Sequence, residues 1–333
     1  MALVTFPSHA FGLDIGDLSF KIAFLKKKGN KIELKIIKEK AVPENYFKKG
    51  EIEKEKEVIN FIKKFVDEAK VLTPYVVAVL PETKTFIKTI KIDNWEEIEK
   101  EIESNIPFRI DEVYFDWQKI SENSVLIGLA PKNIVDSYLK VLKMANLKPV
   151  ALEIESVAIL RAIFSKREDF LIPRAILDLG ATRSSLIIVD QETIQLTISL
   201  PFSGQDLTKE ISSKLKISFE KAEEMKINYS EKDKNSELEK IILSFFEKLS
   251  NSLKTHIDFY QEGTKRKIEE LILSGGGANL FKIDRFLEEK NKIKTKIANP
   301  LIKINIKPLI SEKEAVIYTT AIGLALRGLE EKI

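Results

Sequence analysis

The chain of 333 residues predicts an α/β protein built as two related halves, with an α+β module inserted into the first half. Three observations predict it. Gly12-Leu13-Asp14-Ile15-Gly16 and Ile176-Leu177-Asp178-Leu179-Gly180 are apolar strands that end in Asp-x-Gly, far apart in the chain. Each passes through a tight turn into a second apolar strand, 20–25 and 186–189. Ser274-Gly275-Gly276-Gly277-Ala278 then ends a further apolar strand in the second half. Glycine permits positive φ and lets a backbone approach a ligand closely. The N–H groups of such turns form a concave anion cradle, and an Asp at a strand end can hold a metal-bound water. One hairpin of this kind carries little weight, because Gly16 and Gly180 taken singly are also ordinary hairpin glycines. Two predict halves that clamp one phosphate chain from both sides.

The elements follow in order. Residues 11–15, 19–26 and 32–39 read as strands, with Lys28-Gly29-Asn30 as a hairpin turn. Ile52, Val58, Ile62, Phe65, Val66 and Ala69 recur at helical spacing through 52–70. A strand at 75–80 ends at Pro81. The insert then reads as a strand at 85–92, a helix at 95–105, a loop with Pro107, strands at 113–119 and 124–129, and a helix at 132–145. Pro131 fits the first turn of that last helix. Pro149 breaks the pattern, and a helix runs from about Glu153 to Ser165. The second half repeats the first, with strands near 174–179, 184–190 and 193–199. Helices follow at 205–215, 218–227 and 236–262, the last with a broad apolar face that includes Ile241, Phe245, Leu249 and Leu253. A strand at 269–274 leads into the three glycines. A helix at 283–289, a strand at 295–298 and a helix at 312–329 close the chain, and 229–236 is a polar loop.

Composition excludes several functions. The formal net charge is +3, with Lys and Asp/Glu interspersed, so no nucleic-acid footprint is expected. Cysteine is absent, which removes disulfides, thiol catalysis and Cys-based zinc sites. Only His9 and His256 are present, which disfavours histidine metal sites and Ser-His-Asp catalysis. Met1 to Ala10 lacks a basic region followed by an apolar run, and no long apolar stretch occurs. Neither a signal peptide nor a membrane span is expected, and the chain reads as soluble and cytoplasmic.

The order Asp-x-Gly, linker helix, Asp-x-Gly, Ser-Gly-Gly-Gly-Ala resembles the nucleotide-binding superfamily of actin, heat-shock chaperones and sugar kinases. Further segments resemble the family of type IV pilus assembly protein PilM. They are Asn105-Ile106-Pro107-Phe108-Arg109-Ile110-Asp111-Glu112-Val113, Leu147 to Ser156 with its Glu-Ile-Glu-Ser, Pro201-Phe202-Ser203-Gly204-Gln205-Asp206-Leu207-Thr208, and Ala321 to Arg327. The resemblance implies an actin-like (ribonuclease H-like) duplicated fold, with two lobes around a nucleotide cleft. It divides the chain into a first core subdomain, 1–81, with 311–333 packing back on it, and an inserted partner-binding subdomain, 82–149. Residues 150–204 become the linker helix and the start of the second core, 205–268 a helical subdomain, and 269–310 the adenosine-binding part.

The same resemblance implies ATP and Mg²⁺ as ligands. Gly16, Asp17 and Lys21 would meet the phosphates from one side, and Gly180, Ala181, Thr182 and the Ser184/Ser185 pair from the other. Asp14 and Asp178 would hold Mg²⁺ through waters, since Mg²⁺ keeps much of its hydration. Gly275, Gly276 and Gly277 would lie against the adenosine. Glu155 would orient the attacking water; read from its surroundings alone it is equally a solvated helix residue, and Lys21 an outward-facing strand lysine. Asp17 places a carboxylate where a small hydroxyl residue is usual, which predicts slow turnover at most. The implied role is a cytoplasmic ATP-binding scaffold, peripheral at the inner face of the membrane. Its partners would be the N-terminal tail of a PilN-like protein, with Phe108 as an apolar contact, then pilus motor ATPases and further copies in a ring. The alternatives are an FtsA-like cell-division or other actin-like filament protein, and a small-molecule kinase.

Overall fold

The computed structural model describes residues 9–306 and 308–329. The chain divides into two compact units: the first comprises the described residues up to Lys166 and from Asn299, the second Arg167–Ala298.

The first unit opens with strands β1 (Phe11–Ile15), β2 (Ser19–Lys28) and β3 (Lys31–Ala41), followed by two short strands, β4 (Phe47–Lys48) and β5 (Glu51–Ile52). Gly29 turns between β2 and β3 at φ 59°, as the Lys28-Gly29-Asn30 sequence predicts. Helix α1 (Glu55–Glu68) buries Val58, Ile59, Ile62, Phe65 and Val66, the stripe that its periodicity requires. Strand β6 (Tyr75–Leu80) comes next. Then come β7 (Phe86–Lys91), α2 (Ile98–Asn105), β8 (Val113–Ser121), β9 (Ser124–Pro131), α3 (Lys132–Met144), β10 (Lys148–Ile154) and α4 (Glu155–Ile163).

The second unit holds β11 (Arg174–Leu179), β12 (Ser184–Asp190), β13 (Thr193–Leu200), α5 (Gly204–Leu215), α6 (Phe219–Ile227), α7 (Glu237–Thr264), β14 (Glu270–Ser274), α8 (Ile283–Asn291) and β15 (Lys294–Ile297). The chain then returns to the first unit with α9 (Glu312–Ala315) and α10 (Thr319–Arg327), joined by a 3₁₀ turn at Val316–Tyr318.

Duplication is explicit in the sheets. The first is ordered β10-β6-β1-β2-β3 and the second β13-β12-β11-β14-β15. Each therefore has an antiparallel meander followed by two parallel strands, with β1 and β11 central. All five residues of β1 and all seven of β12 are buried, the near-continuous apolar pattern of strands covered on both faces.

Strand β10 corrects the sequence expectation. Helix was expected from about Glu153, yet Lys148–Ile154 pairs in parallel with β6, and the helix starts at Glu155. Pro149 is tolerated because β10 lies at the sheet edge, next to a register shift.

The insert is also smaller than expected. Strands β7, β8 and β9 form their own sheet, over a core of Ile90, Ile92, Ile102, Val125 and Ile127. Helix α3 instead joins the main core, where Ile134, Tyr138, Val141 and Leu142 pack with Phe11, Leu13 and Ile62. Tyr138 is fully buried, and its hydroxyl donates to Gly50 O at 2.9 Å.

The last helix packs onto the first unit at backbone contact distance. A Cβ added at Gly12 would lie 2.2 Å from Ala321 O, and one added at Gly323 would lie 1.9 Å from Ala158 O. Glu153 ties the same elements together by charge: Arg161 binds it at 2.5 and 2.8 Å, and Arg327 at 3.3 Å.

Candidate functional site

The two Asp-x-Gly hairpins close in the same way. Gly16 N donates to Ser19 O at 3.1 Å, and Gly180 N donates to Arg183 O at 2.9 Å. A Cβ would lie 2.8 Å from Ser19 O at Gly16, and 2.5 Å from Arg183 O at Gly180. Turn closure alone therefore requires glycine at both positions.

The side chains beside these turns differ between units. In the first, cross-strand register sets Asp14 opposite Lys21, and Lys21 opposite Glu39. Directly opposed residues share a sheet face, so the three form one charged row. Lys21 Nζ lies 3.7 Å from Asp14 Oδ2 and 3.7 Å from Glu39 Oε1, and donates to Ser19 Oγ at 3.0 Å. Tyr318 feels the same row. Burial pushes its hydroxyl pKa above the ordinary value, and the Glu39 charge adds to the rise while Lys21 opposes it.

In the second unit the equivalent row carries hydroxyls. Asp178 stands opposite Ser185 and beside Ser274, and Ser185 stands opposite Ser199. Ser274 is fully buried, and its Oγ has no hydrogen-bond partner among the described residues. Ser184 is buried too, but one position from Ser185 it takes the opposite face of the strand. The fold thus brings Ser185 and Ser274 alongside Asp178, and not Ser184. Thr182 and Asp17 sit half-buried in their turns.

The three glycines have three different environments. Gly275 adopts φ 76°, and a Cβ there would lie 2.6 Å from Leu179 O and 3.1 Å from Asp178 Oδ1. Gly277 packs on Leu179, whose Cβ would meet an added Cβ at 2.7 Å. Gly276 is exposed and begins a 3₁₀ turn.

Helix α5 starts on the second hairpin. Gly204 N donates to Gly180 O at 3.0 Å, and Gln205 N to Ala181 O at 2.9 Å, while Ser203 caps the helix. Against this start lies a buried amine. Lys226 Nζ donates to Gly204 O at 3.0 Å and Thr208 Oγ1 at 2.9 Å, and pairs with Glu223 at 2.7 Å. Sequence reasoning missed Lys226. Its signal was a charged residue four positions after Ala222, on the buried face of a helix with few apolar residues.

Glu155 is the first residue of α4 and half-buried. The next amide, Ser156 N, donates to Glu82 Oε2 at 3.3 Å, which brings a second carboxylate to that helix end. In the insert, Phe108 is 37% exposed, whereas Ile106 packs against the insert core. Trp95 packs there as well, in contact with the half-open Trp117 ring at 6.0 Å. No group of three or more His, Asp or Glu side chains among the described residues forms a direct metal cage. No helix among them is long and apolar enough to cross a membrane.

Comparison with known proteins fits this architecture. A solved PilM–PilN type IV pilus biogenesis complex matches at TM-score 0.85 and 24% identity, over 96% of this chain and 98% of the other. The ethanolamine utilization protein EutJ of Carboxydothermus hydrogenoformans matches at TM-score 0.62 and 15% identity, over 96% of this chain and 90% of EutJ. MreB5 of Spiroplasma citri, solved with ADP, matches at TM-score 0.56 and 14% identity, over 96% and 95%. These similarities establish the actin-like fold. The family described as type IV pilus assembly protein PilM matches residues 12–329, so from the first Asp-x-Gly strand to the end of the last helix the chain belongs to that family.

Proposed function

We propose that the chain is an actin-like, ATP-binding scaffold that holds the cytoplasmic tail of a PilN-like membrane protein within pilus assembly. The observation that carries the nucleotide half is the row at Asp178. A buried Ser274 hydroxyl without a protein partner stands beside a carboxylate, at the mouth of a turn whose glycine leaves no room for a side chain. A buried polar group left unpaired costs about 1–3 kcal/mol, so the Ser274 hydroxyl calls for a partner, water or ligand, that the protein alone does not supply. The residues fit Mg-ATP. Asp14 and Asp178 would hold Mg²⁺ through waters. When bound, Mg²⁺ neutralises phosphate charge.

The chain's own groups do the rest. Apart from Gly16 N and Gly180 N, which close the turns, the amides of the two hairpins would meet phosphate oxygens, with Lys21, Thr182 and the serines of the second row as further donors. Gly276 offers exposed backbone to the nucleoside. Lys226, paired with Glu223, anchors the start of α5 through Gly204 O, next to the second hairpin. Glu155 orients water at the start of α4, and Asp17 keeps turnover slow. MreB5 was solved with ADP in the same fold, which supports the nucleotide assignment.

The partner half rests on the insert. Phe108 is exposed between Pro107 and Arg109, and the complex that shares this fold contains PilN. Motor ATPases, ring formation and a peripheral place at the inner face of the membrane extend the same reading. The test is titration of a PilN-like N-terminal peptide against the wild type and Phe108→Ala, with and without Mg-ATP. Removing the whole of 82–148 would take α3 out of the main core and unfold the first unit, so a point variant is the right tool. Loss of peptide affinity in Phe108→Ala supports the site, and unchanged affinity places the tail elsewhere.

A further inference from the structure

The charged row of the first unit holds one cation between two carboxylates. Lys21 lies 3.7 Å from both Asp14 and Glu39, and its side chain is mostly buried, as is that of Asp14. Glu39 is the more open of the acids, at 36% side-chain exposure on β3. The three groups together carry one net negative charge, so the row as folded is not an anion receptor. Its only cation is already shared.

We infer that Glu39 sets the nucleotide affinity of the chain by competing with phosphate for Lys21. The inference rests on the nucleotide reading above and adds to it a residue outside both Asp-x-Gly motifs. Asp14 and Lys21 belong to the hairpin itself, one residue inside the turn on each strand. Glu39 is delivered by the next strand, through its register with Lys21, and has no place in a phosphate cradle. A carboxylate there does two things. It holds the ammonium within ion-pair range, and it adds negative charge beside an anion-binding turn. The second unit shows the alternative: at the position matching Lys21 it has Ser185, and at the position matching Glu39 it has Ser199. Only the first-unit hairpin carries this brake.

The two effects are separable. If Glu39 acts through Lys21, removing its charge helps only while Lys21 is present. If it acts only by its field, the gain survives without Lys21. The experiment is calorimetric titration of Mg-ATP into the full chain, stripped of nucleotide, as wild type, Glu39→Gln, Lys21→Gln and the double variant. Glu39→Gln should tighten ATP about fivefold, the scale of one partly exposed ion pair. Melting without nucleotide should change little. In the Lys21→Gln background the Glu39→Gln gain should shrink below about twofold, a coupling that independent sites would not show. Unchanged or weaker ATP binding in Glu39→Gln overturns the inference, as does an equal gain in both backgrounds. ATP binding by none of the four proteins overturns the nucleotide reading itself. Because Lys21→Gln leaves Asp14 without its partner, Lys21→Arg serves as a second background: it keeps the charge and should keep the Glu39→Gln gain.

Discussion

Gly275→Ala probes the nucleotide turn where sequence, backbone and site meet. Gly275 has φ 76°, a conformation that costs an alanine about 1 kcal/mol. The new Cβ would also lie 2.6 Å from Leu179 O and 2.9 Å from Leu179 C. Those are backbone atoms at the end of β11, the central strand of its sheet, so relief requires the strand end or the turn to move. Overpacking of this kind costs about 1–3 kcal/mol, for a combined loss of about 2–4 kcal/mol. At roughly 3 °C per kcal/mol for a domain of this size, the second unit should melt on the order of 10 °C lower. The same shift moves the turn against Asp178, since the Cβ would sit 3.1 Å from Asp178 Oδ1, so the thermal stabilisation by Mg-ATP should also fall. The assay is thermal unfolding of the full chain with and without Mg-ATP. A variant that melts within about 2 °C of the wild type and keeps its ATP response would refute the steric reasoning.

Three further substitutions test separate parts of the account. Ser274→Ala removes a buried hydroxyl without a protein partner, so the protein without nucleotide should be unchanged or up to about 1 kcal/mol more stable while ATP binding weakens; a loss of stability without nucleotide would show that the hydroxyl is already satisfied. Asp17→Ser should tighten ATP by about fivefold through relief of repulsion at the first hairpin, and weaker binding would instead make Asp17 a ligand of Mg²⁺-bound water. Gly323→Ala would drive a Cβ to within 1.9 Å of Ala158 O and should separate α10 from α4, which urea unfolding would register as a loss of more than about 2 kcal/mol.

The duplicated plan was legible because it is written in short-range signals. The apolar strands β1 and β11, their Asp-x-Gly ends and the Gly29 hairpin all appear where period and turn chemistry predict. Strand β10 was not legible in the same way. Its residues are only half-buried and contain a proline, and a helix begins at its end, so local pattern favours helix. The second sheet held the clue: with β15 at the equivalent place, duplication calls for a fifth strand in the first sheet. The assignment of α3 failed for a related reason. Its apolar stripe announces a buried face but not which of two cores receives it.

At the site, sequence could name Asp14, Lys21 and Asp178, which lie inside motifs. It could not name Glu39, Ser199 or Ser274 as their neighbours, because those relations are set by strand register across the sheet. Lys226 escaped for the opposite reason. A lysine in a charged helix reads as solvated, and only its contacts with Gly204, Thr208 and Glu223 reveal a buried amine.

The central claim is that the chain binds Mg-ATP through its Asp-x-Gly hairpins. Calorimetric titration of nucleotide-free protein with ATP and Mg²⁺, beside Asp178→Ala under the same conditions, tests it most directly. The account predicts saturable binding with one ATP per chain in the wild type, and none in Asp178→Ala, with the variant still folded by circular dichroism. Absence of binding in the wild type, or equal binding in both proteins, would contradict it.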